Sequence, residues 1–230
     1  MDVLVVGATR GTGLAVVTRL VAAGHAVTAF GRTASAVFGP DGRALAELAG
    51  PGSVRAVDGD VLDREAVDKA VAGQDAVAVT LGISDNPLAV QWLRRATTAL
   101  DVRSRGTQAV LDAMQRQGVR RLTVQTTYGL GEQRANLPLS WKLTFRLVLG
   151  PQIRDSERQE RAVRASGLDW TLVRPVSLTD EDPAGPADVA TDGTVTSFTV
   201  ARAQVARVTV DALQDPATVA KVLSVSSRQP

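Results

Sequence analysis

The chain has no cysteine and a single histidine, His25. The first absence excludes a disulfide framework, a cysteine nucleophile and a thiolate metal site. The second excludes a His-paired metal centre and leaves a Ser-His-Asp hydrolase only one histidine to use. No metal is therefore expected. Aromatic residues make up 3% of the chain, with one tyrosine, and lysine is scarce beside arginine. No apolar run approaches the length needed to span a bilayer. The short apolar start leads straight into glycines, without the basic leader and cleavage site of a signal peptide. The net charge is only +2, with arginines interspersed among Asp and Glu, which describes a solvated surface better than a nucleic-acid footprint. These absences lead to the expectation of a cytoplasmic protein, monomer or homodimer, with a small-molecule substrate and no nucleic-acid or membrane partner.

What is present is a chain of 230 residues, 44% hydrophobic, long enough for one substantial core and read as a single domain over residues 1–230. Apolar runs of strand length recur at Val3 to Gly7, Ala26 to Phe30, Ser53 to Val57, Ala76 to Leu81, Leu122 to Thr126, Trp170 to Arg174 and Val222 to Val225. Most are apolar on both faces, as strands covered from both sides must be. Between them lie helix candidates at Gly11 to Ala23, Arg64 to Ala72, Ala96 to Gln117, Ser156 to Ser166 and Ala203 to Leu213. The alternation predicts an α/β fold with a doubly wound, mostly parallel sheet and helices on both faces. Two segments interrupt it. Tyr128 to Gly150 contains LSWKLTFRLVLG, and Val176 to Ser197 is rich in Pro, Gly and Asp. Both are read as surface insertions, and insertions at the carboxyl ends of strands are where substrate sites are built.

The stretch GATRGTG joins the first strand to the first helix. At such a junction backbone N–H groups and the helix dipole can receive a pyrophosphate. Gly7 permits the tight turn, Gly13 permits close approach of helix and strand, and the Thr9 and Thr12 hydroxyls supply further donors. The spacing, with glycines at 7, 11 and 13, is not the simple G-x-G-x-x-G form. Its position at the head of a continuing α/β pattern is what predicts a dinucleotide site. At the end of the second strand, where an NAD enzyme carries Asp or Glu for the ribose hydroxyls, stands Arg32, with Thr33 and Ser35 nearby. A guanidinium binds a 2′-phosphate in two-pronged fashion, and Arg10 adds a second positive charge, so the expected cofactor is NADPH. After the third strand, the Asp60 carboxylate can accept from an adenine amino group with Val61 against the ring. Asp63 is better placed to cap the helix that follows. Leu81 and Gly82 end the fourth strand, where glycine lets the backbone pass close to the ribose. His25, in AAGHAVTAF, follows the first helix at the amino end of the sheet, away from this edge, and is read as structural.

In order and spacing, GATRGTG, FGR, VDGDVLD, VTLG, GVRRLTVQTT and ASGLDWTLVRP resemble the atypical short-chain dehydrogenase/reductases. The likeness is to the subgroup of biliverdin reductase B or flavin reductase-like, quinone-reductase-like and nitrogen-metabolite-regulator-like proteins. The resemblance covers nearly the whole chain. It implies a Rossmann-like core with NADPH across the strand ends: Gly7, Thr9, Arg10, Gly11, Thr12 and Gly13 at the pyrophosphate, Arg32 at the 2′-phosphate, Asp60 near adenine, and Pro175 near the nicotinamide. Arg10 falls where the subgroup has its central glycine.

The pattern departs from the family in its catalytic residues. Many members use a Tyr-x-x-x-Lys pair, the lysine lowering the tyrosine pKa. Here Tyr128 is followed four residues later by Glu132, which would raise it. Two possibilities remain. Thr126 or Thr127, at the end of the fifth strand, hydrogen-bonds a substrate oxygen with Tyr128 as a neutral donor. Alternatively, side chains offer little acid catalysis and the acceptor's own electronics take the hydride, as in quinones and flavins. Both threonines are equally ordinary β-branched residues ending a strand. The resulting expectation is an NADPH-dependent reductase of a planar conjugated acceptor: a quinone, a polycyclic aromatic ketone or a flavin. The Ala-, Val- and Arg-rich composition associates such enzymes with aromatic polyketide pathways. Trp141, Phe145 and Phe198 are candidate aromatic walls, and the 137–149 stretch fits strand and helix periods equally. The alternatives are an NADP(H)-binding redox sensor without turnover and, more distantly, an isomerase.

Overall fold

The computed structural model describes residues 1–45, 48–82, 101–131, 150–181 and 185–228. Their order is β1 (Asp2–Val6), α1 (Gly11–Ala22), β2 (Ala26–Gly31), α2 (Ser35–Phe38), β3 (Ser53–Asp58), α3 (Arg64–Val71), β4 (Ala76–Val79), α4 (Val102–Gln117) and β5 (Arg121–Gln125). There follow α5 (Gly150–Ala165), β6 (Asp169–Pro175), β7 (Ser177–Thr179), β8 (Ala187–Ala190), β9 (Thr199–Ala201), α6 (Arg202–Gln214) and β10 (Lys221–Ser227).

Eight strands form one sheet in the order β3-β2-β1-β4-β5-β6-β10-β8, parallel throughout except for β8, which runs antiparallel to β10 at one edge. The strand order reverses between β1 and β4, and there the carboxyl ends of neighbouring strands diverge into a crevice. The alternation of side chains along the strands divides the core into two layers. From β1, Leu4 and Val6 join the cluster beneath α3, α4 and α5, while Val3 and Val5 join the cluster beneath α1, α2 and α6. From β4, Val77 and Val79 face the first layer and Ala76 and Ala78 the second. A third cluster, with Tyr128, Leu130, Val173, Val205 and Val225, closes the β6–β10 end.

All seven expected strands and five expected helices are present, with shifted ends. Helix α5 begins at Gly150, six residues before the Ser156 expected from its periodicity, and α4 is described only from Val102. Asp63 caps α3, its carboxylate accepting from the Glu65 and Ala66 amides at 3.0 and 3.3 Å. The 176–197 segment is not simply a meandering connection. It contributes β7, which pairs with β9 in a separate two-stranded sheet, and the edge strand β8. These strands are three or four residues long, too short to leave a period in the sequence. Glu132, Trp141, Phe145 and the rest of the 137–149 stretch lie outside the described residues. Phe198 is 36% exposed and does not line the crevice described below.

Candidate active site

The turn after β1 is pinned by its neighbours. The amides of Gly7 and Ala8 both donate to the Phe30 carbonyl, at 3.0 and 3.3 Å. The Thr80 hydroxyl donates to the Val6 carbonyl at 3.0 Å. Gly7 has φ +86°, which a side chain resists. A Cβ at Gly13 would lie 2.1 Å from the Gly7 carbonyl oxygen and 2.7 Å from Thr80 Oγ1, so helix α1 can sit this close to β1 and β4 only with glycine there. The N-cap of α1 is Arg10, in extended conformation, with no side-chain hydrogen bond to the first turn and no acidic residue within it. Such a helix start leaves amide donors and the positive end of the dipole without an internal partner. The structure thus fits an anion at this position.

Around the turn the carboxyl ends of five strands enclose a cleft of about 980 Å³. Its wall takes Gly7, Thr9, Arg10, Gly11 and Thr12 from the glycine turn, and Arg32 and Thr33 from the end of β2. The end of β3 adds Asp60, Val61 and Leu62, that of β4 adds Thr80, Leu81 and Gly82, and that of β5 adds Gln125 and Thr126. Asp60 Oδ1 accepts from the Leu62 amide at 3.0 Å, which fixes the carboxylate in a tight turn on an exposed residue. Val61 and Leu81 stand against α4 at Gly106, where a Cβ would come within 2.7 and 2.9 Å of their side chains.

Three of the expected residues are elsewhere, while Gly13 lies beneath the turn and, as expected, lets the helix approach the strand. Pro175 is buried at the end of β6, its carbonyl accepting from the Tyr128 amide at 2.9 Å, and does not form the wall. Thr127 is half-buried outside the wall. Tyr128 is buried in the third core cluster, and its hydroxyl donates to the Gly193 carbonyl at 2.9 Å. Burial pushes that phenol above its ordinary pKa, against the opposing pull of Arg174. The expected substrate contacts from Thr127 and Tyr128 therefore have no geometry here. Ser35 is likewise occupied: its amide donates to Asp58 Oδ1 at 2.9 Å and its hydroxyl to Asp58 Oδ2.

Thr126 does reach the cleft, but its proton points away. The hydroxyl donates to Glu160 Oε1 at 2.7 Å, and Glu160 is gripped by both prongs of the Arg174 guanidinium, with Nε at 2.8 Å from Oε1. All three groups are buried. A hydroxyl has one proton, and here it is spent on a carboxylate, so Thr126 offers the cleft only lone pairs.

Three arginines in the wall were not foreseen. Arg43 donates to the Thr9 carbonyl at 3.2 Å and so lies across the glycine turn. Arg202, at the start of α6, pairs with Asp180 at 2.6 Å and stands 3.3 Å from where a Gly11 Cβ would be. Arg103, in the first turn of α4, donates from Nη1 to Ser156 Oγ at 3.0 Å. None has a local sequence signal, because each reaches the cleft from an element distant in sequence from the turn. Among the described residues of the wall, with Arg10 and Arg32, they make five arginines against one carboxylate, Asp60.

The fold and this site define a class, a Rossmann-type NAD(P)H-binding protein. The family model described as NAD(P)H-binding matches residues 7–216, and the chain belongs to that family. It is similar to an uncharacterised chloroplastic protein of Arabidopsis thaliana, 25% identical over 229 residues that cover 98% of this chain and 76% of the relative. Its fold matches ChuY, an anaerobilin reductase of Escherichia coli O157:H7, with TM-score 0.77, 23% identity and full coverage of both chains. It also matches the oxidoreductase YlbE of Lactococcus lactis, with TM-score 0.77, 18% identity and coverage of 100% and 92%. A short-chain dehydrogenase/reductase of Veillonella parvula in complex with NADP gives TM-score 0.75 at 16% identity, covering 98% and 94%. The Rossmann-type NAD(P)H-binding character read from the motifs is thus shown. No helix among the described residues is long and apolar enough to cross a membrane.

Proposed function

We propose that the protein is an NADPH-dependent reductase of planar, conjugated acceptors such as quinones, polycyclic aromatic ketones (aromatic polyketide intermediates among them) or flavins. The observation that carries this reading is the pairing of an arginine-rich dinucleotide cleft with a catalytic end where, among the described residues, neither Thr126 nor Tyr128 has a proton to give. NADPH bound here supplies a hydride. The glycine turn and the uncapped start of α1 receive its pyrophosphate. Arg32 and Arg43 face the 2′-phosphate end, where a carboxylate would repel it. Asp60 and Val61 take the adenine.

At the acceptor end the Thr126 proton is committed to Glu160 and Tyr128 is shut in the core. A simple ketone needs a positioned acid as hydride arrives. A quinone or flavin does not, because its conjugated system carries the electron pair on oxygen or nitrogen until water protonates it. The balance is NADPH plus acceptor plus one proton giving NADP⁺ and the two-electron-reduced acceptor. Two structural neighbours, one an anaerobilin reductase and one an oxidoreductase, support the assignment.

The test is anaerobic NADPH oxidation with a panel of quinones, polycyclic ketones and free flavin, beside NADH and an Arg32→Glu variant. Turnover of conjugated acceptors that collapses in the variant supports the reductase. Tight NADPH binding with no turnover on any acceptor favours a redox sensor.

A further inference from the structure

Arg103 differs from the other arginines of the cleft in where it stands. Arg10, Arg32 and Arg43 cluster with the glycine turn and the end of β2, and Arg202 has Asp180 as an ion-pair partner. Arg103 enters from α4, on the side of the cleft walled by Val102, Gln125 and Thr126. No carboxylate of the described residues forms an ion pair with it. The nearest candidate, Asp155, is spent on the start of α4. Its oxygens accept from the Arg103 amide at 3.1 Å, the Ser104 amide at 3.2 Å and the Ser104 hydroxyl. Asp155 is 2% exposed and acts as a cap supplied by α5. Arg103 is half-buried, and its desolvation pulls the guanidinium pKa down while the Asp155 charge opposes the shift. A guanidinium has five N–H donors in a rigid fork, and the Ser156 hydroxyl satisfies one of them.

A second observation lies beside it. Gln125 Oε1, in the same wall, is buried with no hydrogen-bond partner among the described residues. With the lone pairs of Thr126, the acceptor end among the described residues thus holds two hydrogen-bond acceptors and one half-buried cation without an ion-pair partner. A partly desolvated cation and an unpartnered acceptor both cost stability unless a ligand completes them. A neutral quinone accepts a hydrogen bond from Arg103 but brings neither a counter-charge nor a donor for Gln125.

We infer that Arg103 is the anion subsite of the acceptor site, and that the acceptor is a conjugated molecule carrying a carboxylate, with N–H or O–H groups on its ring system facing Gln125 and Thr126. This rests on the reductase reading for the word acceptor, while the subsite itself is a binding claim that stands apart from turnover. Hydroxylated aromatic acids and other acidic polyenes or polycycles satisfy the description.

The experiment uses pairs of compounds sharing one ring system, such as anthraquinone-2-carboxylate and its methyl ester, with the wild type, Arg103→Gln and Arg103→Lys. Calorimetric titration into the NADP⁺-loaded protein reads binding, and anaerobic NADPH oxidation reads kcat and KM. One charge-assisted contact predicts that the wild type prefers the acid by about tenfold or more, in Kd and in KM. The preference should vanish in Arg103→Gln and return in part in Arg103→Lys. Ester binding should fall far less than acid binding, and an unchanged far-ultraviolet circular dichroism spectrum shows that the variants are folded. Equal binding of acid and ester by the wild type, or an acid preference that survives Arg103→Gln, overturns the subsite. Acid-selective binding with no turnover on either compound leaves the subsite standing and overturns the reductase reading.

Discussion

A single missing Cβ decides the geometry of the nucleotide turn. An alanine at residue 13 would put its methyl carbon 2.1 Å from a backbone oxygen that cannot retreat, because the same turn is tied to Phe30 and Thr80. Gly13→Ala is expected to cost about 3 kcal/mol or more of stability, beyond the usual overpacking range, and to abolish NADPH binding in a fluorescence titration. Tyr128 presents the opposite case. A proton donor contributes about 100-fold or more to rate, whereas the placement of Tyr128 predicts that Tyr128→Phe changes kcat by less than about twofold. Steady-state kinetics on any accepted substrate decide between the two.

Asp58 provides a pH signature at the same scale. The Ser35 hydroxyl, then its amide, hold the Asp58 carboxyl below its ordinary range. A carboxylate with a depressed folded-state pKa contributes stability above its unfolded value, near 4, and loses it as pH falls through the lower folded value. The difference in urea midpoint between the wild type and Ser35→Ala should therefore be full at neutral pH and shrink steadily in acid. A pH-independent difference would contradict this assignment.

At the scale of elements, α4 serves the site twice. Its residue Gly106 lets Val61 and Leu81 lie back against the helix and leave room in the cleft. Gly106→Ala would drive both side chains toward the nucleotide. It should raise the NADPH Kd by roughly tenfold, an overpacking cost of about 1 kcal/mol or more, while the protein stays folded. Its first turn also carries Arg103, held by the cap from Asp155 on α5. Between α5, β5 and β6 the Glu160–Arg174 pair is buried behind Thr126, so Glu160→Ala leaves a buried guanidinium without its partner. The expected loss is about 3–5 kcal/mol, read as a large fall in Tm.

The elements of the sheet were legible because most strands are largely apolar runs and several crossover helices are bounded by their own signals. Asp63 before α3 and Gly118 after α4, with φ +73°, are examples. The glycine turn was legible because it is local in sequence. Arg43, Arg103, Arg202 and Gln125 were not, since nothing near them in the chain distinguishes a cleft arginine from a solvated one. The direction of the Thr126 proton was also hidden, because it depends on Glu160, thirty-four residues further on. Strands β7, β8 and β9 escaped notice because three or four residues cannot display a period.

At the scale of the whole molecule, the account makes one asymmetric cleft out of two kinds of chemistry. One end is a positively charged nucleotide cradle in which Asp60 is the only carboxylate among the described residues and is proposed to take the adenine. The other end, among the described residues, offers acceptors and the half-buried Arg103, with no side-chain acid. The division follows from the topology, because the strand-order reversal between β1 and β4 separates the ends of β2 and β3 from that of β5. The most direct check is a pair of equilibrium titrations, NADPH and NADH, on the wild type and on Arg32→Glu and Arg43→Ala variants. The account predicts that the wild type binds NADPH at least about tenfold more tightly than NADH, as a charge-assisted contact to the 2′-phosphate requires. Arg32→Glu should reverse the preference and Arg43→Ala should weaken it. Equal affinity for the two dinucleotides, unchanged in both variants, would contradict it.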